Sequence, residues 1–254
     1  MNKPIVIKIG GSTFGKGETV IEDIVALQKE GFNLVVFHGG GNEVTSWLKL
    51  MGIETEMVDG QRVTSRESLR VVVAVLAGLV NKEIVAQIQA KGGRAVGLCG
   101  VDGRILESEV VTPTHGLVGE VVKIDTEPLE ILLDRGYMPV IAPPSYGIGE
   151  DKILNVNGDP AAGALAAALG AERLVMLTDV DGVMDGEGRV LGRLSRSEAE
   201  AMIESGVAAG GMIPKVRACL SALESNTVAQ IVDGRVPHAL LDAVGGKDIG
   251  TIIE

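Results

Sequence analysis

Two glycine-rich stretches each follow an apolar run: Lys8-Ile9-Gly10-Gly11-Ser12 and His38-Gly39-Gly40-Gly41. Glycine lets backbone N–H groups approach an anion closely, and a helix opening at such a loop adds its partial positive charge. Either stretch alone reads equally well as a tight turn. Together, each closing a hydrophobic strand, they point to two facing sides of a polyphosphate site. Lys8 lies inside an apolar run, where a lysine is costly unless paired or aimed at an anion. A strand-end lysine reaching solvent is its plain alternative. Gly10-x-x-x-x-Gly15-Lys16-Gly17 nearly spells a Walker A loop, but Gly17 stands where the Mg²⁺-binding hydroxyl belongs. Lys16 is therefore read as a solvated loop lysine. No G-x-G-x-x-G opens a helix, which removes the dinucleotide fingerprint as well.

Further along, Asn155, Asn157 and Asp159 alternate before Pro160 and an Ala-rich stretch. Asp159-Pro160 reads as an N-cap followed by a first-turn proline. Three polar groups on one side of an extended segment read equally as a site. Thr178-Asp179-Val180-Asp181-Gly182-Val183 is an acidic turn closing a strand, with a plain β-turn or contact to a nucleotide or Mg²⁺ as its two readings. In Ala209-Gly210-Gly211-Met212-Ile213-Pro214-Lys215 a lysine sits near a helix N-terminus, against the dipole, which favours a functional role.

The elements that must position these residues alternate. β-Branched runs at 4–9, 33–37, 94–98, 138–142, 173–178, 228–232 and 250–253 predict strands. Helices are predicted at 19–30, 42–51, 65–91 (opened by Thr64-x-x-Glu67), 126–135, from Asp159 to Gly170, and from Ser195-x-x-Glu198 to about Gly206. This alternation implies βαβ units, a mainly parallel sheet and helices on both faces. Residues 105–124 and 145–156 break the rhythm with short β runs around Gly, Asp or Pro, as hairpins would. One α/β unit is expected, softly divided into lobes 1–145 and 146–254. Ligands of such sheets gather beyond the carboxyl ends of the strands, where the glycine loops lie.

Composition narrows the partners. Of 254 residues 46% are hydrophobic and only 2% aromatic, which suits Val/Ile/Leu strands under Ala-rich helices. A net charge of −11 repels nucleic acid and anionic lipid, so an anionic substrate must meet locally placed cations. Cys99 and Cys219 are read as unpaired thiols in a reducing compartment. No signal peptide is read at the N-terminus and no apolar run is judged long enough to span a membrane, so a soluble cytoplasmic protein is expected.

The motifs IKIGGS, FHGGG, GQRVT, VNKEIV, LNVNGDPAA, LTDVDGV and GGMIPK occur in this order with matching spacing. Together they resemble the amino acid kinase family over essentially the whole chain, and within it the branch acting on N-acetyl-L-glutamate. The resemblance implies a three-layer αβα sandwich with a mainly parallel central sheet. It implies transfer of the γ-phosphoryl group of ATP, with Mg²⁺ carried by the nucleotide and no protein metal site. The product would be N-acetyl-L-glutamyl 5-phosphate, in arginine biosynthesis. Lys8 and Lys215 would stabilise the transferring group, and Asp159 would hold the two lysines. Gly40, Gly41, Arg62 and Asn155 would bind the acceptor, Arg62 clamping its α-carboxylate. Gly10, Gly11, Ser12, Asp179, Val180, Asp181, Gly182, Val183, Met184, Val207, Ala208 and Ala209 would border the nucleotide. Acceptor binding and a homodimer interface would fall to 1–145 and ATP binding to 146–254.

Ser65 stands where the family commonly has an acidic residue after RVT, which loosens the transfer around that loop and leaves Arg62 intact. With Lys8 already on the first strand, the hexamer-building helix of some arginine-inhibited relatives is not expected, which points to a dimer without arginine feedback. The chemistry is consistent. A carboxylate with a pKa near 4 is already an ionised nucleophile, so no general base is needed. His38 is read as structural, and His115 and His238 as loop residues. Two rivals stay open: a kinase of a carrier-bound aminoadipate, and a non-catalytic ligand sensor on the same fold.

Overall fold

The computed structural model describes residues 3–11, 19–58, 61–149 and 152–254. Ser12, Gly15, Lys16 and Gly17 lie outside the described residues.

The β-branched runs pair into an eight-stranded sheet. From one edge its order is Arg193–Leu194, Thr251–Ile253, Val228–Asp233, Arg173–Thr178, Ile5–Ile9, Leu34–His38, Met138–Ala142 and Ala95–Cys99. Every neighbouring pair is parallel except Thr251–Ile253 on Val228–Asp233. The strand Ile5–Ile9 is central, with Lys8 opposite Met176 on one side and Phe37 on the other.

Side chains alternate across a pleat, so each strand feeds two core layers. Ile5, Ile7, Ile9, Leu34 and Val36 pack with the helices Val20–Lys29, Gly41–Leu50 and Ala239–Val244 and with the continuous helix Arg66–Ala90. Val6, Val35 and Phe37 enter the opposite layer, under Glu127–Asp134, Gly158–Ala168, Arg196–Glu204 and Met212–Ala222. Helices therefore cover both faces of a mainly parallel sheet, as the strand–helix rhythm predicts. The same period of two puts Lys8 on the face of Val6, looking toward the start of Gly158–Ala168.

The two irregular stretches are indeed hairpins. Leu106–Val110 pairs antiparallel with Val118–Ile124, and Ser145–Gly147 with Lys152–Val156. The sequence pattern predicts two separate hairpins, whereas the four strands close into one small barrel. Barrel formation joins segments far apart in the chain and leaves no local signal.

The helix Arg66–Ala90 corrects one expectation. Its richest 18-residue window has a mean hydropathy of 1.8, so by length and composition it could cross a membrane. Charges at Arg66, Glu67, Arg70, Lys82 and Glu83 hide this in a linear reading. In the fold its apolar stripe, from Val71 and Val72 through Leu76 and Val80 to Ile84 and Ile88, packs into the core. The middle of this helix, Ala74–Val80, is π-helical.

Candidate active site

The site begins with two turns in contact. A Cβ on Gly11 would lie 3.0 Å from the Gly40 nitrogen, so the loops after Ile5–Ile9 and Leu34–His38 meet backbone to backbone. Gly40 adopts a φ of 147°, and a Cβ there would also strike Leu76. Gly39 is fixed through its N–H, which donates to Ile9 O at 2.9 Å. Among the described residues, the N–H groups of Gly11, Gly40 and Gly41 donate to no protein acceptor. Gly10 differs: its N–H donates to Leu177 O at 3.0 Å and belongs to the sheet.

Beside these turns two lysines share one carboxylate. Lys8 forms an ion pair with Asp159 Oδ1, and Lys215 Nζ lies 3.0 Å from Asp159 Oδ2. The three side chains are largely buried, Lys215 being the most exposed at 20%. Burial alone would raise the Asp159 pKa, but the two ammonium groups outweigh it and hold the carboxyl below its ordinary value.

Asp159 is free for this because it is not the helix cap. The helix Gly158–Ala168 is capped by Asn157, whose Oδ1 accepts the Asp159 N–H at 3.0 Å. The same displacement occurs upstream. Ser65, not Thr64, caps the helix beginning at Arg66, accepting from Ser68 N at 3.1 Å. Thr64 instead donates to Arg62 O at 2.9 Å and accepts from Asn155 Nδ2 at 3.2 Å. Buried His115 accepts the Thr64 N–H through its carbonyl at 3.0 Å, so it supports this corner.

Arg62 donates to Thr55 Oγ1 at 3.0 Å and to Thr45 Oγ1 at 2.6 Å. Among the described residues it has no carboxylate partner, and Glu67 is not its counter-ion. Burial lowers its pKa. Thr45 and Thr55 were not foreseen, although Thr45 stands one helical turn after Gly41 and its hydroxyl donates to Gly41 O at 2.8 Å.

These groups surround a cleft of about 260 Å³. Lys8, Gly11, Gly40, Gly41, Arg62, Asn155 and Asp159 line it, and Val44, Met57, Val72, Leu76 and Val118 add an apolar wall. Lys215 reaches the cleft only through Asp159. Asp179, Val180, Asp181, Gly182, Val183, Met184, Val207, Ala208 and Ala209 do not line it. Asp179 and Asp181 lie beside the Asp233–Arg235 ion pair, beyond the ends of the neighbouring strands Arg173–Thr178 and Val228–Asp233. Val183 and Ala208 are buried, and the Val183 N–H donates to Thr251 Oγ1 at 2.8 Å. Met184 and Val207 are exposed, 40% and 43%. His238, read as a loop residue, pairs with buried Asp23 at 2.8 Å.

The sequence profile of the amino acid kinase family matches residues 3–233. The chain belongs to the amino acid kinase family. A curated acetylglutamate kinase of Dehalococcoides mccartyi (strain ATCC BAA-2266 / KCTC 15142 / 195) is 44% identical over 257 residues, covering 99% of this chain and 94% of the relative. The crystal structure of smu.665 from Streptococcus mutans UA159 superposes with a TM-score of 0.86 at 27% identity, covering 100% of this chain and 99% of the other. Carbamate kinase from Giardia lamblia bound to AMP-PNP has a TM-score of 0.71 at 20% identity, covering 99% of this chain and 98% of the other, a likeness of fold alone. As in other kinases of the amino acid kinase family, ATP is the phosphoryl donor.

One glycine holds the lysine pair together from behind. A Cβ on Gly163 would sit 2.7 Å from Ala218 Cα, so Gly158–Ala168 and Met212–Ala222 cross in backbone contact. Gly163→Ala would gain about 1 kcal/mol of helix propensity. Overpacking against backbone costs about 1–3 kcal/mol, and a clash this close falls at the upper end. The variant should melt several degrees lower, and a thermal scan checks it.

Proposed function

We propose that this protein transfers the γ-phosphoryl group of MgATP to the side-chain carboxylate of N-acetyl-L-glutamate. The product is N-acetyl-L-glutamyl 5-phosphate, an intermediate of arginine biosynthesis made in the cytoplasm. The observation that carries this reading is the pair of lysines on Asp159 beside glycine N–H groups that, among the described residues, have no acceptor, on a cleft that also holds an arginine without a carboxylate partner among them. Bringing a carboxylate to a polyphosphate sets two anions against each other. Fixed cations and N–H groups relieve that repulsion most where charge shifts in the transition state.

In this reading Lys8 and Lys215 stabilise the transferring group, and Asp159 keeps both in place. Gly11, Gly40 and Gly41 donate N–H groups, and Asn155 holds the amino-acid part of the acceptor. Asp179 to Met184 and 207–209 border the nucleotide, with exposed Met184 and Val207 offering apolar contact and buried Val183 and Ala208 shaping the wall behind. Gly10, its N–H held by Leu177 O, borders the nucleotide as well. Residues 1–145 carry most of the acceptor site and 146–254 the nucleotide site, with Asn155 and Asp159 reaching across. A homodimer belongs to this reading.

Arg62 clamps the acceptor's α-carboxylate. Hydrogen bonds to a charged group contribute about 1.5–3 kcal/mol, so Arg62→Ala should raise the KM for N-acetyl-L-glutamate roughly 10- to 100-fold. The KM for ATP should change far less. Steady-state kinetics on both substrates decide it, and equal effects would remove Arg62 from this role.

The reaction itself is tested by ADP release from MgATP with N-acetyl-L-glutamate, N-acetyl-L-aspartate, free glutamate or N-acetyl-aminoadipate, with hydroxylamine trapping any acyl phosphate. Turnover selective for N-acetyl-L-glutamate with trapped product is expected. Preference for the aminoadipate compound would keep the mechanism and change the substrate. Silence with all four would overturn the proposal.

A further inference from the structure

Asn81 has no solvent exposure, yet it sits in the long helix Arg66–Ala90 on the face that packs against the sheet. A buried amide is tolerated only when its hydrogen bonds are made, and here each has a destination. Its Nδ2 lies 2.9 Å from Val140 O, 3.2 Å from Leu98 O and 3.1 Å from His38 Nε2. Its Oδ1 accepts from Lys82 Nζ at 2.9 Å, and Lys82 also donates to Gly97 O at 2.9 Å. An ammonium only donates, so the atom facing Lys82 must be the oxygen, and the amide has one orientation.

That orientation fixes the imidazole. His38 Nδ1 lies 2.8 Å from Gly39 O, a pure acceptor, so Nδ1 carries the proton and Nε2 receives the Asn81 N–H. The ring is buried, and burial pushes its pKa down to about 4, with the cations Lys8 and Lys82 also opposing protonation. At neutral pH it is therefore a neutral imidazole in a single tautomer. Gly39 is then held at both ends, its carbonyl by His38 and its N–H by Ile9 O. The next two N–H groups along the chain are those of Gly40 and Gly41, two residues that line the cleft.

The surroundings keep this arrangement in place. A Cβ on Gly97 would collide with Asn81 Oδ1 and lie 2.8 Å from Lys82 Nζ, so the absent side chain is the room in which the amide sits. The π-helical segment Ala74–Val80 ends immediately before Asn81, and its Leu76 and Val80 lie under Gly40. The helix thus meets the glycine turn at three points, and a π segment is often the sign of a functional adjustment in a helix.

We propose that Asn81 and His38 are positioning residues for phosphoryl transfer: Asn81 orients the His38 ring, the ring holds Gly39, and Gly39 aims the Gly40 and Gly41 N–H groups. The inference deepens the proposed function and rests on it for its kinetic arm. Misplacing a catalytic donor by about 1 Å can cost about 100-fold in rate. Asn81→Leu keeps the branched shape and removes the hydrogen bonds. It should lower kcat roughly 10- to 100-fold while the KM for MgATP stays within about threefold. Gly97→Ala, outside the cleft, should reproduce that split by displacing the amide.

Asn81→Asp supplies a readout that packing alone would not move. A carboxylate facing Nε2 favours the imidazolium, against Lys8 and Lys82, and only the charged ring can donate from Nε2 to it while Nδ1 still donates to Gly39 O. Its kcat should therefore be highest at acid pH and fall as the pH rises through the new His38 pKa. The unsubstituted enzyme should show no such limb. In the full-length protein, nitrogen-15 NMR of the histidine rings should show His38 as the Nδ1–H tautomer, unprotonated from about pH 8 down to about pH 5. Amide shifts of Gly40 and Gly41 should move in Asn81→Leu and in Gly97→Ala.

A His38 that titrates near its ordinary 6.5, or unmoved glycine amides with unchanged kcat in both variants, would overturn the proposal. Lack of turnover by the unsubstituted protein would sink the proposed function alone. The NMR measurements decide the positioning role either way, and Gly97→Ala carries the kinetic test if Asn81→Leu does not fold.

Discussion

Replacing Lys8 by alanine should lower turnover about 100- to 1,000-fold and leave a folded protein, because one fixed donor to a developing anionic charge typically contributes that much. The fold should survive for a specific reason. Lys8 lies among apolar neighbours on the central strand, and its removal leaves Asp159 still paired with Lys215 at 3.0 Å. The loss should appear in kcat, with both KM values moving little, if the lysine acts on the transferring group as proposed. Initial rates together with a circular-dichroism melt check both halves. Near-normal turnover in a folded Lys8→Ala protein would remove the lysine from the chemistry.

Asp159→Asn should cost both stability and rate. The carboxylate is the shared counter-ion of two buried ammonium groups, and removing it leaves them facing each other without neutralisation. Deleting one member of a buried ionic group costs on the order of 3 kcal/mol. Turnover should fall by at least about 100-fold, because neither lysine keeps its place. The pH dependence has a definite sign. The folded carboxyl titrates below its ordinary 3.8, so its stabilisation is present above that value and is lost as the pH falls through the lower folded value. Asp159→Asn should flatten this acid-side loss. Urea unfolding at neutral pH and near pH 3 measures both effects, and an unchanged midpoint at neutral pH would refute the shared-counter-ion role.

Much of this was legible because the site is built at strand ends. Lys8, Gly11, Gly40 and Gly41 announce themselves by being lysine and glycine where an apolar run should continue or a side chain should pack. The helix capping spacing at Ser195 and Glu198 is realised in full, with both halves of the box made. It misleads at Thr64 and at Asp159, where a neighbouring polar residue takes the cap. In both places the displaced residue bonds a residue of the site instead. Local capping rules see only which side chains can bond a helix end. Two nearby candidates satisfy them equally, and tertiary partners (Asn155 for Thr64, the lysines for Asp159) choose between them. Asn81 was illegible for a related reason: apart from Lys82 beside it, its partners lie on three strands, and the room for its amide is one missing Cβ, that of Gly97. The small barrel was hidden too, since Asn155 pairs with Val118, a register that no local pattern encodes.

The place of Ile5–Ile9 in the sheet carries a consequence for how the chain is made. Its two neighbours are Leu34–His38, which follows shortly in the sequence, and Arg173–Thr178, which is separated from the first by the barrel and most of the helices. At translation rates of about 5–20 residues per second, roughly 10 to 30 s pass between synthesis of the two. Throughout that interval one edge of the strand bearing Lys8 is an unpaired apolar template of the kind that invites aggregation. The lysine proposed for phosphoryl transfer and the vulnerable edge belong to the same five residues, so the strand proposed to serve the chemistry also makes the nascent chain dependent on timely protection.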